Sequence, residues 1–158
     1  MSLRAATIPL AVAAGVLGLA APASAQPAHH SHASIEHFTE VNTSTTGAPG
    51  PILARGAITA AGHDKSVSDS QSSFVFPRGT LTVDHAAVTS TDRFDARTCV
   101  GRHSETGTYS IVGGTRAYAT VTGYGRYTVS VTTHGCDPSA PPTSLVFVLQ
   151  ASGPLWLS

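Results

Sequence analysis

Two cysteines, Cys99 and Cys136, stand 37 positions apart, and the chain has no others. Between them run two stretches rich in β-branched and aromatic residues, ending at Ile111-Val112 and beginning again at Tyr124. They are separated by Gly113-Gly114-Thr115-Arg116-Ala117-Tyr118-Ala119-Thr120-Val121-Thr122-Gly123. The midpoint between the cysteines falls near Ala117 and Tyr118, inside this glycine-flanked segment. A hairpin folded there brings the cysteines together, and Gly113 and Gly114 are expected to take positive φ at the strand end. Two cysteines allow a single pairing. The bridge closes a loop of about 38 residues, which chain entropy values at about 4 kcal/mol. Free or metal-bound thiols are the alternative. No Cys-x-x-Cys spacing supports them, and exported thiols oxidise.

The amino terminus points to export. Arg4 precedes an apolar run from Ala5 to about Ala21, and Ala23-Ser24-Ala25 has the small-x-small pattern of a cleavage site. The run is about 17 residues, short of the ~20 that a membrane helix needs. Residues 1–25 are therefore expected to be a cleaved signal peptide, 26–34 a flexible leader and 35–158 one folded domain, secreted and without a membrane span. The whole chain has formal net charge +0, and loss of Arg4 leaves about −1. With no clustered cations, nucleic-acid binding is not expected. The leader holds His29, His30 and His32, with His37 just beyond. His-rich tracts bind copper, nickel or zinc weakly, but the plain reading is an exposed polar leader, so no metal site is assigned. Asn42-Thr43-Ser44 matches the short glycosylation sequon.

From Ile35 onward the chain reads as short strands. Ile35, His37, Thr39 and Val41 share one side of the first, and Ile52–Thr59 forms a second after Gly47-Ala48-Pro49-Gly50-Pro51. Residues 61–73 are polar, a loop or a weak strand near Val67. Phe74-Val75-Phe76 is a short strand stopped by Pro77. Leu81, Val83, His85 and Ala87 alternate with polar or small neighbours, the mark of a half-buried strand. Residues 90–98 read as a charged turn, with Asp92 and Asp95 solvated. Leu145–Leu149 begins a long last strand, and Gly153-Pro154 marks a bulge or break. No amphipathic helix of useful length is present. Seven or eight short strands with local connections build a sandwich or a barrel. The barrel is expected, because pairing a strand near Ile35 with one near Val146 removes both sheet edges.

On the strand before the turn, His103, Glu105, Gly107, Tyr109 and Ile111 share a face opposite Arg102, Ser104, Thr106, Thr108 and Ser110. If the first set lines an interior, Glu105 is the candidate acid or base, since burial raises a carboxyl pKa. A strand Glu paired with Arg102 or Arg126 on the surface is the alternative. His103, Tyr109, Tyr118 and Tyr127 are the candidate ligand contacts, since aromatics commonly line such pockets. Gly-x-Ser-x-Gly, His-Glu-x-x-His and a complete Gly-x-Gly-x-x-Gly are all absent, so no cofactor is assigned.

Gly107-Thr108-Tyr109, Ile111-Val112-Gly113-Gly114-Thr115, Tyr118-Ala119, Thr122-Gly123 and Tyr127 together resemble a pattern in the allene oxide cyclase and dirigent barrel superfamily, in particular its small secreted bacterial members. Gly56-Ala57-Ile58-Thr59, Phe76-Pro77-Arg78-Gly79-Thr80-Leu81 and Ala151-Ser152-Gly153-Pro154-Leu155 extend the likeness over residues 51–157. Arg116 stands where that pattern has a third glycine, and Thr120-Val121 replaces a Gly-Ala pair. The resemblance implies an antiparallel eight-stranded β-barrel with an apolar lumen. It implies a small apolar or phenolic ligand, either bound unchanged or rearranged by a cyclase- or isomerase-like reaction. A structural envelope protein is the third reading. The resemblance is compatible with a homo-oligomer, for which the residues give no interface.

Overall fold

The structure is a computed structural model that describes residues 33–137 and 140–157. The expected signal peptide, His29, His30, His32 and Pro138 lie outside the described residues. Eight strands follow in order: β1 (Ser34–Asn42), β2 (Gly50–Arg55), β3 (Ala60–Ser68), β4 (Gln71–Phe76), β5 (Gly79–Asp95), β6 (Val100–Gly114), β7 (Thr122–His134) and β8 (Ser144–Trp156). Each pairs antiparallel with the next, and β1 pairs with β8 from Ser34↔Leu155 to Asn42↔Phe147. The sheet is thus a closed barrel with no free edge. The bridge joins Cys99 to Cys136 with Cα atoms 4.6 Å apart, and such a pair fits an oxidising compartment. Among the described residues, no helix is long and apolar enough to cross a membrane.

Several local expectations are corrected. The polar segment 61–73 forms most of β3 and the start of β4, because its backbone is paired on both sides by β2 and β5. Residues 90–95 are strand, not turn. They pair with β6 from Ser90↔Glu105 to Asp95↔Val100 in an arm whose β5 side chains are exposed, so their polarity reflects solvent on the arm. Gly113 and Gly114 extend β6 opposite Thr82 and Leu81, and the left-handed residue of the turn is Arg116, at φ 54°. The last strand passes Gly153-Pro154 in constant register, with Gly123 facing Leu155 and Arg126 facing Ser152.

The two ends of the barrel are filled differently. At the end away from the disulfide, Ile58, Phe76, Leu81, Ile111, Val121 and Leu155 are buried together. The short 3-10 turn Arg116–Tyr118 folds Tyr118 into this plug, edge-on to Phe76 at 6.1 Å. Burying each large apolar side chain contributes about 1.5–3 kcal/mol. Phe38, Phe74 and Tyr109 form the middle layer, with ring centroids 5.3 and 6.2 Å apart around Phe38. Beyond that layer, toward the disulfide, the lumen is open.

Candidate functional site in the barrel lumen

The open half encloses a cavity of about 740 Å³. Phe38, Phe74, Val83, Val129, Phe147 and Leu149 supply apolar wall, and the loop Ser44–Gly50 borders the mouth. Of the residues singled out in the sequence, His103, Glu105, Tyr109 and Tyr127 all line it. Tyr118 does not; it belongs to the plug at the other end.

Glu105, His103 and Tyr127 meet because β6 and β7 pair with Gly107 opposite Tyr127 and His103 opposite Val131. A Cβ at Gly107 would lie 2.5 Å from the Tyr127 ring, so only glycine lets the phenol lie across β6. The Tyr127 hydroxyl then donates to Glu105 Oε1 at 2.5 Å, a charge-assisted bond. Burial and the Glu105 carboxylate both push the Tyr127 phenol to a higher pKa than usual. His85 stands edge-on to Tyr127 at 5.9 Å. On the other side, His103 Nε2 is 3.6 Å from Glu105 Oε2, and His103 Nδ1 is 2.9 Å from Asp92 Oδ1. Exposure falls along this line, from 79% at Asp92 through 32% at His103 and 24% at Glu105 to 5% at Tyr127. A row of polar side chains thus runs from solvent into the lumen.

Asp92 reaches this row through a bulge. The β5–β6 register shifts between Ala87 and Thr89, leaving exposed Val88 unpaired. Before the shift the odd residues Leu81, Val83 and His85 point inward. After it, Ser90 and Asp92 share the side of their partners Glu105 and His103. A bulge commonly re-aims side chains in this way.

A second acidic group went unrecognised in the sequence. On β1 the inward side chains are Glu36, Phe38 and Glu40, while Ile35 and Val41 are exposed. Glu40 is 4% exposed and reaches across β2 toward Asp64 on β3. A Cβ at Gly50 would lie 2.7 Å from Glu40 Cδ, so the glycine makes room for this reach. Burial and the Asp64 charge raise the Glu40 pKa to about 8. Burial also raises Asp64, against the opposing hydrogen bonds from Glu40 and from Ser72 Oγ, 3.4 Å away. Glu40 therefore keeps its proton at neutral pH, and burial disfavours charge on Asp64 as well. The available sequence signal was Glu40 two places from Phe38, on the face that the large aromatic claims.

Glu36 has a different setting at the plugged end. It is fully buried and accepts a 2.9 Å bond from the Ile58 N–H. Desolvation raises its pKa, and its negative charge adds to burial in pushing Tyr109 up to about 12. Among the described residues, no group of three His, Cys, Asp or Glu is arranged to hold a metal. No family model, curated protein or solved structure matches the chain.

Proposed function

We propose that this protein is secreted and binds one small organic molecule, with an apolar or phenolic body, in the barrel lumen. The observation that carries this reading is the cavity of about 740 Å³. Its size lies within the range of ~300–1,000 Å³ usual for ligand sites, and its wall is apolar with a few convergent polar groups. An open lumen supports binding over a scaffold filled by its own side chains. The resemblance to allene oxide cyclase and dirigent barrels points the same way, and the apolar run before Ala23-Ser24-Ala25 together with the bridged cysteines supports export.

A second reading is a cyclase- or isomerase-like enzyme. It is favoured by one contact, the Tyr127–Glu105 hydrogen bond with His103 and Asp92 behind it. There Glu105 would exchange a proton with the bound molecule while Tyr127 holds it in place.

Native mass spectrometry of the purified protein, with extraction of whatever is bound, tests the first reading. One defined apolar or phenolic molecule per chain is the expected result. A protein that carries nothing and ignores a panel of fatty-acid and phenolic probes would overturn it. Glu105→Gln separates the two readings: a binder keeps its ligand unchanged, whereas an enzyme accumulates unconverted substrate.

A further inference from the structure

The lumen has a sign as well as a size. Among the described residues, the carboxyl side chains at its wall are Glu40, Asp64, Asp69 and Glu105. The one Lys or Arg that borders it is Lys65, which is exposed and alternates out of phase with inward Asp64. The deepest of these acids is Glu40. Neither its Oε2 nor Asp64 Oδ1 receives a donor from another group of the chain. The proton shared between the two carboxyls provides one donor for a pair rich in acceptors. Ser72 adds one long bond, at 3.4 Å. Glu36, on the same face of the same strand, also keeps one oxygen without a donor, but a backbone N–H meets the other and it lies outside the cavity wall, where no ligand could reach it.

Buried acceptors without donors are costly, and a buried charge without a counter-charge is more so. His63 and His85 are the basic side chains that favour charge on Asp64, and neither gives a donor to the two orphaned oxygens. A ligand ammonium would supply N–H donors and a positive charge at once, and it accepts nothing. We infer that the molecule held in the lumen is an organic cation, a protonated amine on an apolar or aromatic body, with its ammonium seated on the Glu40–Asp64 pair. The phenyl rings of Phe38 and Phe74, which flank the pair on β1 and β4, would face the body of such a molecule. This inference rests on the lumen being a binding site, and it specifies the ligand's charge.

Three probes of one shape test it by calorimetry at pH 7: 2-naphthylmethylamine, 2-naphthylmethanol and 2-naphthoate. The amine is expected to bind at least tenfold tighter than the alcohol, with the carboxylate weakest. Glu40→Gln combined with Asp64→Asn should bring amine and alcohol to within twofold, and a cooperative urea transition shows that the variant is folded. Glu105→Gln should keep the preference. Val129→Trp, which fills the cavity, should abolish binding of all three. Equal affinities that Val129→Trp still abolishes would overturn the cationic ligand and leave the lumen reading standing. A preference lost with Glu105→Gln and kept without the Glu40–Asp64 pair would overturn this seat. Binding that survives Val129→Trp, or no binding by any probe, would overturn both.

Discussion

The two ends of the barrel use one strand, β1, in opposite ways. At one end Glu36 is fully buried, with one oxygen bonded to the Ile58 N–H, and it lies outside the cavity wall. Four residues along the same face, Glu40 is almost as deeply buried, but it borders the open lumen and faces another carboxyl. The plugged end has the pattern of a stabilising core. Both ends keep a carboxyl oxygen without a donor, but only at the open end does it border a cavity, as in ligand sites. The same residue type at a similar depth is thus sealed off in one place and open to the lumen in the other, and the packing around it makes the difference.

The largest effect should separate the ends directly. Leu81→Ala, at 0% exposure, removes a core side chain and is expected to cost about 2–5 kcal/mol in urea unfolding. Leu145→Ala at the open rim, half-buried, should cost less than about 1 kcal/mol. Equal losses would erase the distinction. Replacing both Cys99 and Cys136 by Ser should cost about 2–4 kcal/mol, mainly by freeing the unfolded chain, and leave ligand affinity within a few-fold. A lost ligand site would show instead that the bridge shapes the lumen.

The acids give a pH signature with a definite sign. Folding raises the Glu40 pKa from 4.5 to about 8, so between those values the native state binds more protons than the unfolded state. Stability is then greatest below about pH 4.5 and falls as pH rises toward 8. Glu36 and Asp64, also raised, act in the same direction. Glu40→Gln should flatten this fall by an amount on the order of 1–3 kcal/mol, seen as a higher Tm at pH 8 with little change at pH 4. A parallel shift at both pH values would mean that Glu40 is not the group that titrates. A small effect is also expected from Tyr127→Phe, which removes one hydrogen bond and should cost about 1 kcal/mol in the same urea assay.

Much of the lumen wall could be read from local pattern. Alternation on β6 put His103, Glu105, Tyr109 and Ile111 on one face, and on β5 it put Leu81, Val83 and His85 together; both faces point inward. The same rule did not show which face of β1 is inside, because Ile35 and Val41 are as apolar as an inward residue would be. Phe38 decides it, paired opposite Ala151 and packed against Phe74 and Tyr109, and it carries Glu36 and Glu40 in with it. Asp92 is solvated as its sequence suggests, at 79% exposure, but its contact with His103 could not be read, because a single unpaired residue, Val88, changes the phase of the strand.

From its own order of residues the chain determined most of the apolar strand segments, the turn between the cysteines and their pairing, since period-two alternation and a single Cys pair are local or combinatorial facts. Tertiary structure alone decided that Glu40 meets Asp64 across β2, that Tyr127 reaches Glu105 over Gly107, and that one end of the barrel is plugged while the other stays open. Those outcomes depend on the register in which distant strands close, and a period of two assigns each residue to a face without assigning its neighbours.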